Sequence, residues 1–112
     1  MKITEEAQGQ SMTLKLEGNF TYTQRKPFQD AVKNACGKNA QHIIIDLSQV
    51  SFLDSAALGL LMVTHRQLVA EKRKLSMYKP QPTVKQIIEL ANLHKTIPVI
   101  ESDVAPLMRK SA

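Results

Sequence analysis

Three consecutive isoleucines at positions 43–45, followed by Asp46-Leu47, constrain the fold more than any other feature. A run of β-branched residues without alternation is typical of a strand that is covered on both faces, as in the centre of a sheet. A loop at 48–53 follows, and Asp54-Ser55 then opens an apolar helix that reaches about Lys72. A buried strand, a loop and a helix in this order favour an α/β fold with a largely parallel sheet.

Further elements surround this unit. Met12, Leu14 and Leu16 alternate with polar residues and predict a half-buried strand, which a short turn joins to a weaker strand as an antiparallel hairpin. Residues 1–112 therefore predict a single α/β domain with a mixed, mostly parallel sheet, an N-terminal hairpin and about four α-helices. The predicted strands are 3–7, 12–17, 42–47, 75–79 and 97–100. The first predicted helix begins between Gln24 and Pro27 and reaches Cys36, and the others are about 54–72, 83–91 and a last one that begins at Ser102.

Glycine, proline and threonine mark the predicted ends of several elements. Gly18 ends the second strand before a loop at 19–23, and Gly37 stands where a C-terminal helix cap is expected. Thr83 is positioned to cap the third helix, and Pro98 favours an edge position for the last strand.

Length and composition exclude several protein classes. A chain of 112 residues suffices for one domain, and the lone Cys36 cannot form an internal disulfide, so we interpret it as a small buried hydrophobe. The first residues lack the apolar stretch of a signal peptide, and no run approaches the 18–20 or so apolar residues of a membrane span. We therefore expect a cytoplasmic protein that does not insert into a membrane.

The residues typical of active sites do not form a recognisable pattern. His42, His65 and His94 show no metal-ligand spacing with the cysteine, and the four glycines are isolated, so no phosphate-binding loop is present. Asp46 and Asp54 would need to lie close together to serve as an acid–base pair. We therefore expect no enzyme, no cofactor and no metal, and we interpret His65 as a packed helix residue.

The chain carries a net charge of +5. Lys72–Lys74 and Lys79 cluster at one helix–strand junction, but no aromatic residue lies within the basic run, as stacking on nucleic acid would require. A solvated helix end explains these cations, and the overall charge favours an acidic partner surface rather than nucleic acid.

Ser55 places a hydroxyl where a buried strand gives way to a helix, at the edge of the sheet where α/β folds present functional groups. A phosphate there would face backbone N–H groups and the positive end of the helix dipole. Alternatively, Asp54 or Ser55 is only the helix N-cap. Gly59, inside the helix, indicates close approach by another backbone or by a partner.

Residues 43–59, Ile-Ile-Ile-Asp-Leu-Ser-Gln-Val-Ser-Phe-Leu-Asp-Ser-Ala-Ala-Leu-Gly, resemble the signature of STAS domains, the anti-sigma factor antagonists. The resemblance extends over essentially the whole chain. It implies partner switching, in which Ser55 is the phosphoacceptor and Asp54 the acidic residue beside it. The implied partners are an anti-sigma factor or GHKL-type serine kinase and a PP2C-type phosphatase, and ATP and Mg²⁺ would belong to the kinase.

The chain departs from the family at two places. Ala57 stands where many members have glycine, and Asn19–Tyr22 lacks an aspartate that many members have there, which affects the identity of the partner more than the fold. Ser51 and Thr64 offer other hydroxyls for modification. The predicted binding face consists of Asn19, Tyr22, Ser51, Phe52, Asp54, Ser55, Ala56, Gly59, Val63 and Arg66.

Two other functions stay open at this point. The domain fits a STAS subunit of a membrane transporter complex that docks an ABC ATPase, in which Ser55 need not be phosphorylated. A small enzyme or nucleotide-binding module is disfavoured by the missing phosphate loop and catalytic cluster.

Overall fold

A computed structural model describes residues 1–101 of the chain. Five strands form one sheet in the order β1-β2-β3-β4-β5, in which β1 is antiparallel to β2 and the other neighbouring pairs are parallel. The mixed, mostly parallel sheet with its N-terminal hairpin is thus confirmed. The strands are β1 (Lys2–Gln8), β2 (Ser11–Phe20), β3 (His42–Leu53), β4 (Lys74–Tyr78) and β5 (Val99–Ile100).

Three α-helices lie within residues 1–101, one fewer than the sequence predicts for the whole chain. They are α1 (Arg25–Gly37), α2 (Ser55–Ala70) and α3 (Pro82–Leu90), and 3-10 turns span Tyr22–Gln24 and Leu93–Lys95. The predicted last helix, which begins at Ser102, lies outside the described residues.

One hydrophobic core lies between the sheet and the helices. On β2, Met12, Leu14 and Leu16 are buried and the residues between them are not, as the period of two predicts. Ile43 and Ile45 of β3 join the same core. The helices contribute Phe28, Val32 and Ala35 from α1, Ala57, Leu61 and Leu68 from α2, and Val84 and Ile88 from α3.

The isoleucine run forms the middle of the sheet, as predicted. β3 lies between β2 and β4, and Ile43, Ile44 and Ile45 are all buried. Cys36 packs against the core but is half-buried rather than buried as predicted, and desolvation raises the pKa of its thiol.

Two strands are longer than the sequence predicts. β2 continues through Gly18 (φ +106°) to Phe20, and β3 continues to Leu53, where loops at 19–23 and 48–53 are expected. The register shifts between Gly18 and Asn19, a bulge that glycine accommodates because it has no Cβ. Beyond the bulge Phe20 pairs with Leu53, and both side chains are buried, which offsets the low strand propensity of the polar residues before them.

Two predicted helix caps are wrong. α1 includes Gly37, and the left-handed residue after the helix is Asn39 (φ +64°), a residue type that tolerates this conformation. Gln81 precedes α3 and Pro82 begins it, because proline suits the first helical position, so Thr83 lies inside the first turn.

Phe20 and Phe28 join the end of β2 to α1. Their ring centroids are 4.9 Å apart, and both side chains are fully buried.

We predict that Phe28→Ala lowers the free energy of unfolding by about 3–5 kcal/mol, because it removes buried area and leaves a cavity. Urea unfolding measures the change, and Leu90→Ala, at a side chain that is 79% exposed, is the control with an expected change within about 0.5 kcal/mol. Equal effects of the two substitutions would contradict this core assignment.

His42 lies away from the core, with Nε2 2.8 Å from the hydroxyl of the buried Ser76. Burial, assisted by the cation of Lys74, lowers the pKa of the imidazole below 6.5. The unfolded chain therefore binds a proton at this residue more readily than the folded chain, and protonation favours unfolding.

We predict that the contribution of His42 to stability is fully present above pH 6.5 and is lost as the pH falls below that value. The free energy of unfolding, measured in urea between about pH 8 and about pH 5, should fall more steeply for the wild type than for His42→Gln. Identical pH profiles for the two proteins would refute the assignment.

Candidate functional site

α2 begins two residues after the end of β3. Asp54 lies between them in an extended conformation (φ −96°, ψ 176°), and its Oδ1 accepts a hydrogen bond of 2.8 Å from the N–H of Ala57. Asp54 is therefore the N-cap of the helix, which satisfies a backbone donor that has no partner within the helix.

The same carboxylate also holds the segment that follows β2. Its Oδ2 accepts a hydrogen bond of 3.0 Å from the N–H of Tyr22, and its own N–H donates to the carbonyl of Phe20 at 3.3 Å. We call the two hydrogen bonds from Tyr22 and Ala57 to this carboxylate the Asp54 bridge. It fixes the chain around Tyr22 relative to the start of α2, although the two segments are far apart in sequence.

Ser55 is the first residue of α2, and its side chain is exposed. Since the cap is Asp54, the hydroxyl of Ser55 has no capping role, and it makes no side-chain hydrogen bond to residues 1–101. The sequence left open which of the two residues caps the helix, and the structure decides for Asp54. The helix N-terminus beside Ser55 favours negative charge.

Exposed apolar side chains lie on the elements around Ser55. Tyr22 is 57% exposed, Phe52 45% and Val63 46%. Asn19 and Phe52 are direct neighbours in the register of β2 and β3. We define the Ser55 surface by the exposed members of the predicted binding face, namely Asn19, Tyr22, Ser51, Phe52, Ser55, Gly59, Val63 and Arg66.

The remaining predicted residues, Asp54 and Ala56, are half-buried. Ser51 and Phe52 belong to β3 rather than to the predicted loop. Ser55, Gly59 and Val63 follow one another at intervals of four residues along α2, so they share one helix face. Arg66 lies about 16 Å along the helix from Ser55, at the far end of the surface.

The helical spacing of apolar residues in the sequence predicts a buried stripe on α2 that includes Leu61, Leu68 and Val69. Leu61 and Leu68 are buried as predicted, but Val69 is 52% exposed and Thr64 is buried in its place. His65 is half-buried on this helix, which agrees with a packed residue. A Cβ built on Gly59 would meet no heavy atom of residues 1–101 within 4 Å outside the backbone of its own helix, so the close backbone approach predicted for this glycine does not occur in this part of the chain.

Arg25 is a residue of this region that sequence reasoning missed. Its guanidinium carbon lies 4.6 Å from the centroid of the Tyr22 ring, and its Nη1 donates to the Tyr22 hydroxyl at 2.8 Å. The spacing of three residues at the start of a helix is the signal that indicates this contact.

The geometry does not pair the two carboxylates considered for acid–base chemistry. Asp46 accepts hydrogen bonds from the N–H and hydroxyl of Ser48, while Asp54 forms its bridge at the other end of the segment. Within residues 1–101 no three His, Cys, Asp or Glu side chains are grouped as metal ligands. In the same range, no helix has both the length and the apolar character needed to cross a membrane.

Comparison with known proteins decides the family. The model of the STAS domain matches residues 2–105. This chain belongs to the STAS domain family. A STAS-domain containing protein of Pseudomonas aeruginosa is 27% identical over 89 residues, which cover 80% of this chain and 87% of that protein. An anti-sigma F factor antagonist of Paenibacillus polymyxa is 21% identical over 70 residues, which cover 62% of this chain and 60% of that protein.

Solved structures of STAS proteins share the fold. The anti-sigma factor antagonist SpoIIAA in its unphosphorylated form superposes with a TM-score of 0.75 at 17% identity and covers 98% of this chain and 97% of its own. An anti-sigma factor antagonist from Mycobacterium paratuberculosis gives a TM-score of 0.84 at 21% identity, with coverage of 99% and 94%. SpoIIAA in its phosphorylated form gives a TM-score of 0.72 at 19% identity, and the match covers 97% of this chain and 99% of SpoIIAA.

We predict that Asp54→Ala lowers the free energy of unfolding by about 1–3 kcal/mol, because it removes the helix cap and the acceptor for Tyr22. Asp54→Asn keeps an oxygen for one of the two donors only, so its loss should be smaller. Urea unfolding measures stability, and hydrogen exchange of the Tyr22 amide reports the bridge directly. An unchanged exchange rate at Tyr22 in Asp54→Ala would show that the bridge does not hold this segment.

Proposed function

We propose that this protein is an anti-sigma factor antagonist whose Ser55 surface binds an anti-sigma factor and is switched by phosphorylation at Ser55. The proposed partner is an anti-sigma factor that is itself a GHKL-type serine kinase, and a PP2C-type phosphatase restores the unmodified form. The chain acts by binding, in the cytoplasm, and ATP and Mg²⁺ belong to the kinase. Membership of the STAS family and the names of its structural neighbours support this role.

The observation that carries the proposal is the free hydroxyl of Ser55 at the start of α2. Asp54 performs the capping, so the fold does not need the Ser55 side chain. Three other members of the Ser55 surface, Tyr22, Phe52 and Val63, are exposed apolar side chains. A modification at this atom therefore changes the surface without removing a structural contact.

The physical basis of the switch is the difference between the free and the bound surface. Unmodified Ser55 is uncharged and loses little on desolvation, whereas a phosphate carries about −1.5 to −2 charges and is costly to bury without a cation. In the free chain the phosphate stays hydrated beside the N-terminus of α2, which favours anions. In a complex it would be desolvated next to Asp54, a further acidic group. Phosphorylation therefore weakens the complex more than it perturbs the fold.

We predict that Ser55→Asp reduces partner binding by about 100-fold or more, because it places an unpaired charge in a desolvated contact, while Ser55→Ala still binds. Affinity purification from the native host compares both variants with the wild type, and phosphosite mapping identifies the modified residue. Urea unfolding of both variants should stay within about 0.5 kcal/mol of the wild type, since an exposed side chain is changed.

Gln86→Asp on the exposed side of α3 is the matched control, because it adds the same charge outside the Ser55 surface. It should bind like the wild type. Full-strength binding of the partner by Ser55→Asp would refute the proposed phosphorylation switch. Capture of an ABC ATPase instead of a kinase would identify the transporter role as the correct one.

A further inference from the structure

Tyr22 is an exposed side chain that is held in a fixed position. It is 57% exposed, yet its backbone N–H is bound by Asp54 and its hydroxyl accepts a hydrogen bond from Arg25. An exposed tyrosine usually loses rotamer freedom when it enters an interface, and a tyrosine that is already fixed loses less. Tyrosine and arginine are also the residue types that dominate binding energy in protein interfaces.

Arg25 brings a positive charge to the same place. Its Nη1 is used by Tyr22, while no hydrogen bond or ion pair joins its Nε or Nη2 to residues 1–101. The guanidinium lies over the Tyr22 ring, and its Nε and Nη2 remain as donors for a further acceptor. Planar guanidinium donors match a carboxylate, which accepts two parallel hydrogen bonds.

Asp54, which binds the backbone N–H of Tyr22, forms no ion pair with Arg25. Asp54 uses both carboxylate oxygens for backbone N–H groups. The adjacent Lys26, by contrast, forms an ion pair of 3.7 Å with Asp30 on its own helix. Arg25 is therefore a cation without an acidic partner within residues 1–101, at the rim of the Ser55 surface.

We propose that Tyr22 and Arg25 form a recognition pair that receives a carboxylate side chain, an aspartate or glutamate, of the protein that binds the Ser55 surface. This inference rests on the proposed function and adds the chemistry of the partner. Electrostatic complementarity supports it, since the chain has a net charge of +5 and the pair offers an unneutralised cation beside exposed apolar area. The ring of Tyr22 packs on the partner, and Arg25 fixes the register by binding the carboxylate.

The test uses the anti-sigma factor that the wild-type chain captures, titrated by calorimetry against purified variants. Arg25→Gln should weaken binding by about 10–30-fold, as loss of an interface arginine does. Lys26→Gln, which removes the same charge one residue away, is the matched control and should weaken binding by less than about 3-fold. Arg25→Lys keeps the charge without the planar donors and should fall between the two.

Two further measurements separate recognition from net charge. Tyr22→Phe keeps the ring and removes the hydroxyl that orients Arg25, so it should weaken binding by about 3–10-fold. Arg25→Glu should abolish binding, and one Asp→Arg or Glu→Arg variant of the partner should restore it. Equal weakening by Arg25→Gln and Lys26→Gln, or the lack of any restoring partner variant, would overturn the recognition pair.

Failure of this inference differs from failure of the proposed function. If Ser55→Asp loses binding while Arg25→Gln binds like the wild type, the switch stands and the recognition pair is wrong. If Ser55→Asp binds at full strength, the proposed switch is wrong, whatever Arg25→Gln does. Urea unfolding of Arg25→Gln should match that of the wild type, which excludes loss of folding as the cause of weaker binding.

Discussion

The carboxylate of Asp54 is the interaction on which the site depends. One oxygen caps α2 and the other binds the N–H of Tyr22, so a single side chain positions both the helix start and the segment after β2. Aspartate suits both tasks because it is short and accepts hydrogen bonds at either oxygen. An asparagine has only one acceptor oxygen, and an alanine has none. The aspartate next to Ser55 thus has a structural role that is independent of charge near the hydroxyl.

This bridge is effective because the two strands beneath it are already fixed. Phe20 and Leu53 are direct partners in the parallel register of β2 and β3, and both are buried. Each is followed within two residues by a member of the bridge, Tyr22 or Asp54. The core therefore sets the distance between the two segments, and the carboxylate only has to fix their orientation. The exposed Phe52 thus belongs to a strand of the sheet, and the exposed Tyr22 follows two residues after β2 and is bound by Asp54.

The sequence predicted those features that depend on local pattern. Alternation at 12–16 and the isoleucine run at 43–45 predicted two strands and the centre of the sheet, because side-chain burial follows the strand period. The motif around Ser55 predicted the start of α2 and the candidate phosphoacceptor. The continuation of β3 to Leu53 could not be predicted, because Ser48, Gln49 and Ser51 have no strand pattern and the strand is set by its pairing with β2.

Features that depend on contacts between separate segments could not be predicted from the sequence either. The position of Gly18 indicated a turn, whereas the structure uses it for a bulge that lets β2 continue to Phe20. The second oxygen of Asp54 binds the backbone of Tyr22, and no residue type at position 22 could have indicated a contact with a main-chain N–H. Arg25 likewise gains its importance only when Tyr22 is known to be exposed and fixed.

The residues that stabilise the fold differ from those that we propose to bind a partner. The residues that stabilise the fold are buried between sheet and helices, while Ser55, Tyr22 and Arg25 contribute exposed atoms that the core does not need. A charge added at Ser55 leaves the helix cap in place, because the cap belongs to Asp54. The side chains of Tyr22 and Arg25 in turn lie outside the Asp54 bridge, since only the backbone N–H of residue 22 enters it. The fold therefore does not require the side chains at positions 22, 25 and 55, which leaves them available for the proposed recognition and switching.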